Sequence, residues 1–173
     1  MKFTRYQQGF KGFTLVEMVL YVAICSIFLL SLSGLMSFLL ESRVRSQAIN
    51  EVNQQGTQVM YLITQTIRNG RSIQTPAIGA SSQTLSMTTS NTLLNPTVFS
   101  LSSTTMMIQE GGKAPVALTN SRIAISSLIF QNVSSVTSIE KIVRISFDVE
   151  YINKSGRGEY AFKKTFNGSA ILR

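Results

Sequence analysis

The sequence predicts an α+β protein in which one long N-terminal α-helix packs against an antiparallel β-sheet domain. Three observations predict this fold class. Residues 18–40 form a run of 23 residues without a charged side chain, which is typical of an apolar helix. Residues 41–70 continue with an amphipathic pattern of helical period, and residues 143–151 alternate between large apolar and polar side chains. We therefore expect the amphipathic half of the helix to cover one face of the sheet.

The first twelve residues, MKFTRYQQGFKG, form a basic leader that contains Lys2, Arg5 and Lys11 and no acidic residue. A helix rises about 1.5 Å per residue, so the apolar run behind the leader is long enough to cross a bilayer. Basic residues before a membrane helix favour the cytoplasmic side. We predict a membrane helix over 13–40, with the leader in the cytoplasm and the rest of the chain outside. An ordinary secretory signal fits less well, because it has a shorter apolar core and an A-x-A-like cleavage site.

The second half of the helix, 41–70, is predicted to pack on the exported domain. Its apolar residues recur at helical spacings, and Gly56 lies among them as a candidate for close packing. Asn69-Gly70 is a good helix stop, because glycine tolerates the left-handed conformation that commonly follows a helix. The stripe that should face the sheet contains Val52, Val59, Ile63 and Ile67.

The exported domain, 71–173, is predicted to be an antiparallel sheet with one buried face. Residues 75–105 contain fifteen Ser or Thr, which indicates irregular loop with short strands near Thr84–Met87 and Val98–Leu101. A hairpin around the Glu110-Gly-Gly-Lys turn and a short strand pair over Arg122–Phe130 should follow. In the strand that ends at Tyr151, five apolar side chains should share one face. After it we expect a strand with Tyr160, Phe162 and Phe166 on one face, Lys164 at an edge or snorkelling, and a turn at Asn167-Gly168.

The composition disfavours catalysis and metal binding. The chain has no His, and Cys25, its one cysteine, lies inside the apolar run. His-dependent triads and the commonest zinc sites are therefore excluded. Asp148 and Glu150 are the nearest candidates for acid–base chemistry, and a solvated surface explains them better. We predict no catalytic residue, no metal and no cofactor. The net charge of +8 is scattered beyond the leader, which indicates a solvated basic surface more than a DNA-binding one.

Glu17 is the residue that a simple membrane anchor does not explain. A carboxylate costs about 2.5–3.5 kcal/mol at the centre of a bilayer and less near its edge. Here the acid follows the leader closely, in the order Gly12, Phe13, Thr, Leu, Val, Glu17, directly before the apolar run. This combination resembles the N-terminal processing site of type IV prepilins and type II secretion pseudopilins. In that family a short basic leader ends in Gly, Phe usually follows, and the fifth residue after the cut is Glu.

The resemblance implies a pilin-like fold and a sequence of processing steps. Prepilin peptidase would cut between Gly12 and Phe13 on the cytoplasmic side and methylate the new Phe13 amine. Glu17 would then pair with that amine in its own or a neighbouring subunit. An ion pair in an apolar core is poorly screened, so it would set the axial register of assembly. In pilins the helix often melts locally at a Pro or Gly, and Gly34 lies where that break would fall; an equal alternative is that Gly34 eases helix–helix approach.

The function implied by the resemblance is that of a structural filament subunit in the inner membrane. We expect a minor pilin or pseudopilin, most similar to the J or W type, that is drawn from the membrane into an extracytoplasmic filament for secretion, adhesion or DNA uptake. Its partners would be prepilin peptidase, other pilin or pseudopilin subunits, the inner-membrane assembly platform and membrane lipid. An alternative is a competence pilin that captures DNA through its scattered basic residues. The composition disfavours a membrane-anchored hydrolase.

Overall fold

A computed structural model describes residues 12–137, 140–153, 156, 158 and 161–172. The chain divides into two compact units, one that ends at Ser42 and one that begins at Arg43. Within the described residues, one α-helix precedes nine β-strands, with a short 3₁₀ turn at Thr92–Leu94. The elements are α1 (Leu15–Arg68), β1 (Gly70–Thr75), β2 (Ser81–Ser82), β3 (Leu85–Thr89), β4 (Thr97–Ser102), β5 (Thr105–Glu110), β6 (Val116–Ala117), β7 (Ile123–Asn132), β8 (Ile142–Tyr151) and β9 (Lys163–Ile171).

The predicted α+β class is confirmed, and the strands form two antiparallel sheets. Sheet A has the order β1-β3-β4-β5-β6, and sheet B has the order β2-β7-β8-β9. The two sheets share one core with the second half of α1. Strand β1 begins directly after the helix stop, and its role as a strand was not predicted. In the Ser/Thr-rich segment, β3 and β4 confirm the short strands predicted near Thr84–Met87 and Val98–Leu101, and β2 was not predicted.

The apolar stripe of α1 lies against both sheets, as its spacing predicted. The buried cluster that contains this stripe also contains Leu85 and Phe99 from sheet A and Phe147 from sheet B, all fully buried. The even alternation of β8 also holds, since its four inward residues from Val143 to Val149 are fully buried and Tyr151 is half-buried. Burial of apolar surface at about 25 cal/mol per Å² is the main favourable term here. The buried residues of α1 are Ala48, Val52, Gly56, Val59, Ile63 and Ile67.

At Gly56, α1 is in close contact with β9. A Cβ atom at Gly56 would lie 2.2 Å from two ring carbons of Phe166. The Phe166 ring stacks on Phe147, with centroids 5.6 Å apart and an interplanar angle of 15°. Lys164 lies on the same side of β9, where its Nζ donates to Asn53 Oδ1 at 2.7 Å and sits 5.2 Å from the Phe166 ring centroid. The predicted close-packing role of Gly56 is confirmed, and Lys164 holds the helix beside it.

The predicted turn at Asn167-Gly168 is wrong, because β9 continues through both residues to Ile171. Gly168 lies at a contact and not at a turn. A Cβ atom there would lie 2.7 Å from Met60 Sδ of α1, so a larger residue would require the flexible end of the Met60 side chain to shift. Tyr160, which was predicted to share a face with Phe166, lies outside the described residues.

The predicted strand pair around Arg122–Phe130 is also wrong, because β7 is one strand that pairs with β8. The register between them shifts between Ser126 and Ile129, and Ser127 has a left-handed φ of 53°. This β-bulge inserts an extra residue. As a result burial passes from odd positions before it, such as Ile125, to even positions after it, such as Phe130. A sequence pattern of fixed period two breaks at that point and imitates two short strands.

Candidate functional site

A helix cap at Thr14 marks the start of α1, and the residues before it lie outside the helix. Gly12, Phe13 and Thr14 have no regular secondary structure, and the helix begins at Leu15. The Glu17 N–H donates to Thr14 Oγ1 at 3.3 Å, and the Met18 N–H donates to the Thr14 carbonyl at 3.2 Å. Thr14 is therefore the N-cap of α1, and its hydroxyl satisfies one of the free N–H groups of the first turn. The Gly12–Phe13 peptide bond lies outside the helix as a consequence.

The cap at Thr14 was not predicted from the sequence. The signal was present, because Thr14-Leu-Val-Glu17 matches the pattern of a capping box, in which a Ser or Thr cap is followed three residues later by Glu. The side chain of Glu17 is half-buried in the first turn. That position places an acidic side chain at the positive end of the helix dipole, where acidic residues stabilise a helix.

The structure places Phe13 and Glu17 close along the chain and does not join them. Among the described residues, no ion pair or side-chain hydrogen bond reaches the Glu17 carboxylate. The Phe13 side chain is 72% exposed and meets Tyr21 edge-on, with ring centroids 6.4 Å apart. The pairing of Glu17 with a Phe13 amine therefore stays a prediction, and it needs the new amino group that cleavage would create.

Every large apolar side chain from Phe13 to Leu40 is exposed. The exposed fractions run from 47% at Leu32 to 81% at Leu15. The most apolar window of α1 has a mean hydropathy of 2.4, and the chain buries none of it. An apolar surface of this extent on all sides of one helix marks a membrane or protein contact. The helix is long and apolar enough to cross a membrane.

Gly34 lies in a continuous part of α1, about 26 Å along the helix axis from Glu17. A Cβ atom at Gly34 would have no neighbour within 4 Å, so no described residue requires glycine there. One turn later the Ser37 hydroxyl donates to the Ser33 carbonyl at 3.1 Å. This kind of back-bonding tends to bend helices. Local melting at Gly34 remains a prediction about the assembled state.

Of the two acidic residues on β8, Asp148 makes structural contacts and Glu150 is exposed. Asp148 accepts a hydrogen bond from Thr165 Oγ1 at 2.7 Å. It also forms an ion pair with Lys163 Nζ at 3.0 Å. The hydrogen bond from Thr165, and then that from Lys163, holds the pKa of Asp148 below its usual value. Such a carboxylate stays ionised and is a poor proton donor at neutral pH. Over the described part of the chain, no group of three or more His, Cys, Asp or Glu could hold a metal ion.

Comparison with protein-family models, with curated proteins and with solved structures finds no match to this chain.

Proposed function

We propose that this protein is a minor pilin or pseudopilin, a structural subunit that prepilin peptidase processes and that assembles through its N-terminal helix. The observation that carries the proposal is the combination found at the start of α1. A Gly12–Phe13 bond outside the helix is followed by an acid in the first turn and then by an apolar helix that the chain leaves uncovered. A simple anchor needs the last of these features and has no use for the first two.

The proposed mechanism is assembly. In the membrane, Met18–Leu40 would lie in lipid, with the leader in the cytoplasm and the sheet unit outside. Cleavage and methylation would turn Phe13 into a positive partner for Glu17. An unpaired carboxylate in an apolar environment is costly, so a subunit would be most stable where the pair forms. Neighbouring subunits and the inner-membrane assembly platform are the partners that this mechanism requires.

Intact mass spectrometry of the protein from cells with and without prepilin peptidase tests the proposal. With the peptidase, we expect the mature chain to begin at Phe13 and to carry one added methyl group. Without it, the chain should keep residues 1–12. Retention of the leader in both strains, or removal at another bond, would contradict the proposed function.

The alternative, DNA capture, stays a proposal without a specific observation in its favour. Arg68 and Arg71 line one cleft of about 620 Å³ at the end of α1, but Glu110 lines it as well. Lys163 is already paired with Asp148. Binding to phosphates weakens steeply with salt. Retention on DNA that falls several-fold between low and moderate salt would favour this alternative, whereas retention independent of salt would count against it.

A further inference from the structure

The outer edge of β9 differs from the other three sheet edges in the described part of the chain. Strands β2 and β6, at two of these edges, have two residues each, and β1 has two register shifts against β3. Strand β9 has nine residues and pairs with β8 without any shift. Proteins usually protect sheet edges by shortening, bulging or charging them, because an open edge attracts other strands. Here three edges are shortened or irregular, and the fourth is long and regular.

The hydrogen-bond pattern shows which groups of β9 face outward. The Tyr151 N–H donates to the Phe162 carbonyl and the Leu172 N–H donates to the Lys141 carbonyl, both at 2.9 Å. In an antiparallel ladder alternate residue pairs exchange hydrogen bonds, so the even-numbered residues of β9 bond to β8. The odd-numbered residues turn their N–H and C=O groups away. These five residues, all exposed, are Lys163, Thr165, Asn167, Ser169 and Ile171.

No described residue covers this outward row. Outside the sheet ladder, the main-chain hydrogen bonds of the described residues leave the odd-numbered residues of β9 unbonded. The edge also lacks charge and proline from Thr165 to Ile171. At its far end, Ile171 pairs with Ile142, which in turn accepts a hydrogen bond from Val133. Val133 is 38% exposed and Ile171 is 43% exposed, so an apolar row ends at the open edge.

We propose that the outer edge of β9 binds an extended strand of a different protein, which continues sheet B. Only an extended main chain offers donors and acceptors at the repeat of about 7 Å that the outward groups require. A second copy of β9 fits poorly. An antiparallel copy centred on Asn167 would set Lys163 against Ile171 at both ends, and a parallel copy would set two Lys163 side chains together. The partner strand has an apolar residue beside Ile171 and uncharged residues beside Thr165 and Ser169.

Amide hydrogen exchange of the full-length protein in detergent micelles tests whether the edge is open. We expect the amides of Thr165, Asn167 and Ser169 to exchange at least about tenfold faster than those of Phe166 and Gly168, because only the latter donate to β8. Equal protection of the odd-numbered and even-numbered amides would show that the chain already covers this edge, and it would overturn the proposal.

Photo-crosslinking in the native cells tests for the partner. A photoreactive residue is placed at Thr165 or Ser169, and a matched control at Ser146, which lies on the same face of sheet B but on a central strand. We expect adducts from both edge positions on one extended segment of one other protein, at attachment points offset by the distance between the probes, and none from the control. Adducts to a second copy of this chain, or no adducts, would overturn the proposal.

The substitution Asn167→Pro tests whether the crosslinked adducts depend on strand pairing at the outer edge of β9. Asn167→Pro removes an outward N–H and leaves the ladder to β8 intact, so we expect adducts at least about tenfold fewer, whereas Asn167→Ser should keep them. Ser169→Lys, with the probe at Thr165, supplies a second variant that charges the edge without changing the main chain. The exchange pattern of Phe166 and Gly168 checks that each variant is folded. Adducts that persist in both folded variants would show that contact does not depend on strand pairing.

Discussion

Gly56→Ala should destabilise the protein although alanine is the better helix former. The substitution adds one methyl group at the place where α1 meets β9. That methyl carbon would lie 2.2 Å from two ring carbons of Phe166 and 2.8 Å from a third. Carbon atoms in normal contact are about 3.5 Å apart or more, so the ring would have to retreat by about 1.3 Å. It cannot do so freely, because it stacks on the fully buried Phe147.

The expected magnitude is the difference between two opposing effects. Overpacking a core by a methyl group costs about 1–3 kcal/mol. Alanine recovers up to about 1 kcal/mol in a helix, because glycine loses more backbone freedom on folding. A displacement larger than 1 Å against a stacked ring belongs in the upper part of the overpacking range. We therefore expect Gly56→Ala to lower the free energy of unfolding by about 1–2 kcal/mol.

A change of sign provides the sharpest check. In a Phe166→Leu background the clashing ring carbons are absent, so Gly56→Ala should stabilise by about 0.5–1 kcal/mol relative to Phe166→Leu alone. Gly34→Ala is the matched control in the same helix, since nothing lies within 4 Å of its Cβ position. Urea unfolding of the full-length protein in a mild detergent, followed by circular dichroism, measures the wild type and these four variants. A neutral Gly56→Ala, or the same sign in both backgrounds, would refute the packing described here.

Three further outcomes are expected. Glu17→Ala should still be cleaved and methylated but should fail to enter filaments, as measured by fractionation of sheared filaments. Normal assembly of that variant would contradict the proposed pairing role of Glu17. Thr14→Ala should change the rate of leader removal several-fold while Thr14→Ser should not, because the hydroxyl cap stabilises the start of the helix beside the proposed cleavage bond; equal processing rates in a pulse–chase would contradict it. Asp148→Asn should cost under about 1 kcal/mol at neutral pH, since the Lys163 side chain is 51% exposed. Folding lowers the pKa of Asp148. Its contribution to the free energy of unfolding is therefore present above the unfolded pKa of about 4 and is lost as pH falls through the folded value. The stability difference between wild type and variant should vanish in acid, and a difference independent of pH would argue against the ion pair.

Periodicity predicted the parts of the fold whose burial follows one simple rule. The stripe from Val52 to Ile67 and the alternation of β8 each face a single buried surface, so spacing alone indicates which side chains lie inside. The sequence did not reveal features that depend on contacts between distant residues. Gly168 is typical of a turn, whereas in the structure it lies inside β9 and beside Met60 of the distant helix α1. The bulge at Ser127 changes the parity of burial within one strand, which no fixed period can anticipate.

The candidate site was predicted from the order of a few neighbouring residues and not from hydrophobic periodicity. Gly12, Phe13 and Glu17 were chosen because their order resembles a processing site, and their proposed roles remain predictions. The structure adds that the Gly12–Phe13 bond lies outside α1, because the helix begins after the cap made by Thr14. That cap is a local interaction over three residues, so the sequence contained it in full. The exposure of the apolar half of α1 agrees with the membrane helix predicted over 13–40.

The two proposed contacts would have different roles in an assembly. Apolar helices attract one another without direction, because burial of apolar surface depends on area and little on partner identity. Glu17 would fix the axial position of a subunit, but every subunit with the same acid would satisfy it equally. Discrimination between partners needs a contact that wrong partners cannot make. A strand on the β9 edge must match register, direction and the apolar residue beside Ile171, so this edge is suited to select the neighbour. Asn167→Pro should therefore leave leader removal unchanged and weaken only the contact with the strand partner of β9, whereas Glu17→Ala should prevent assembly with any neighbour.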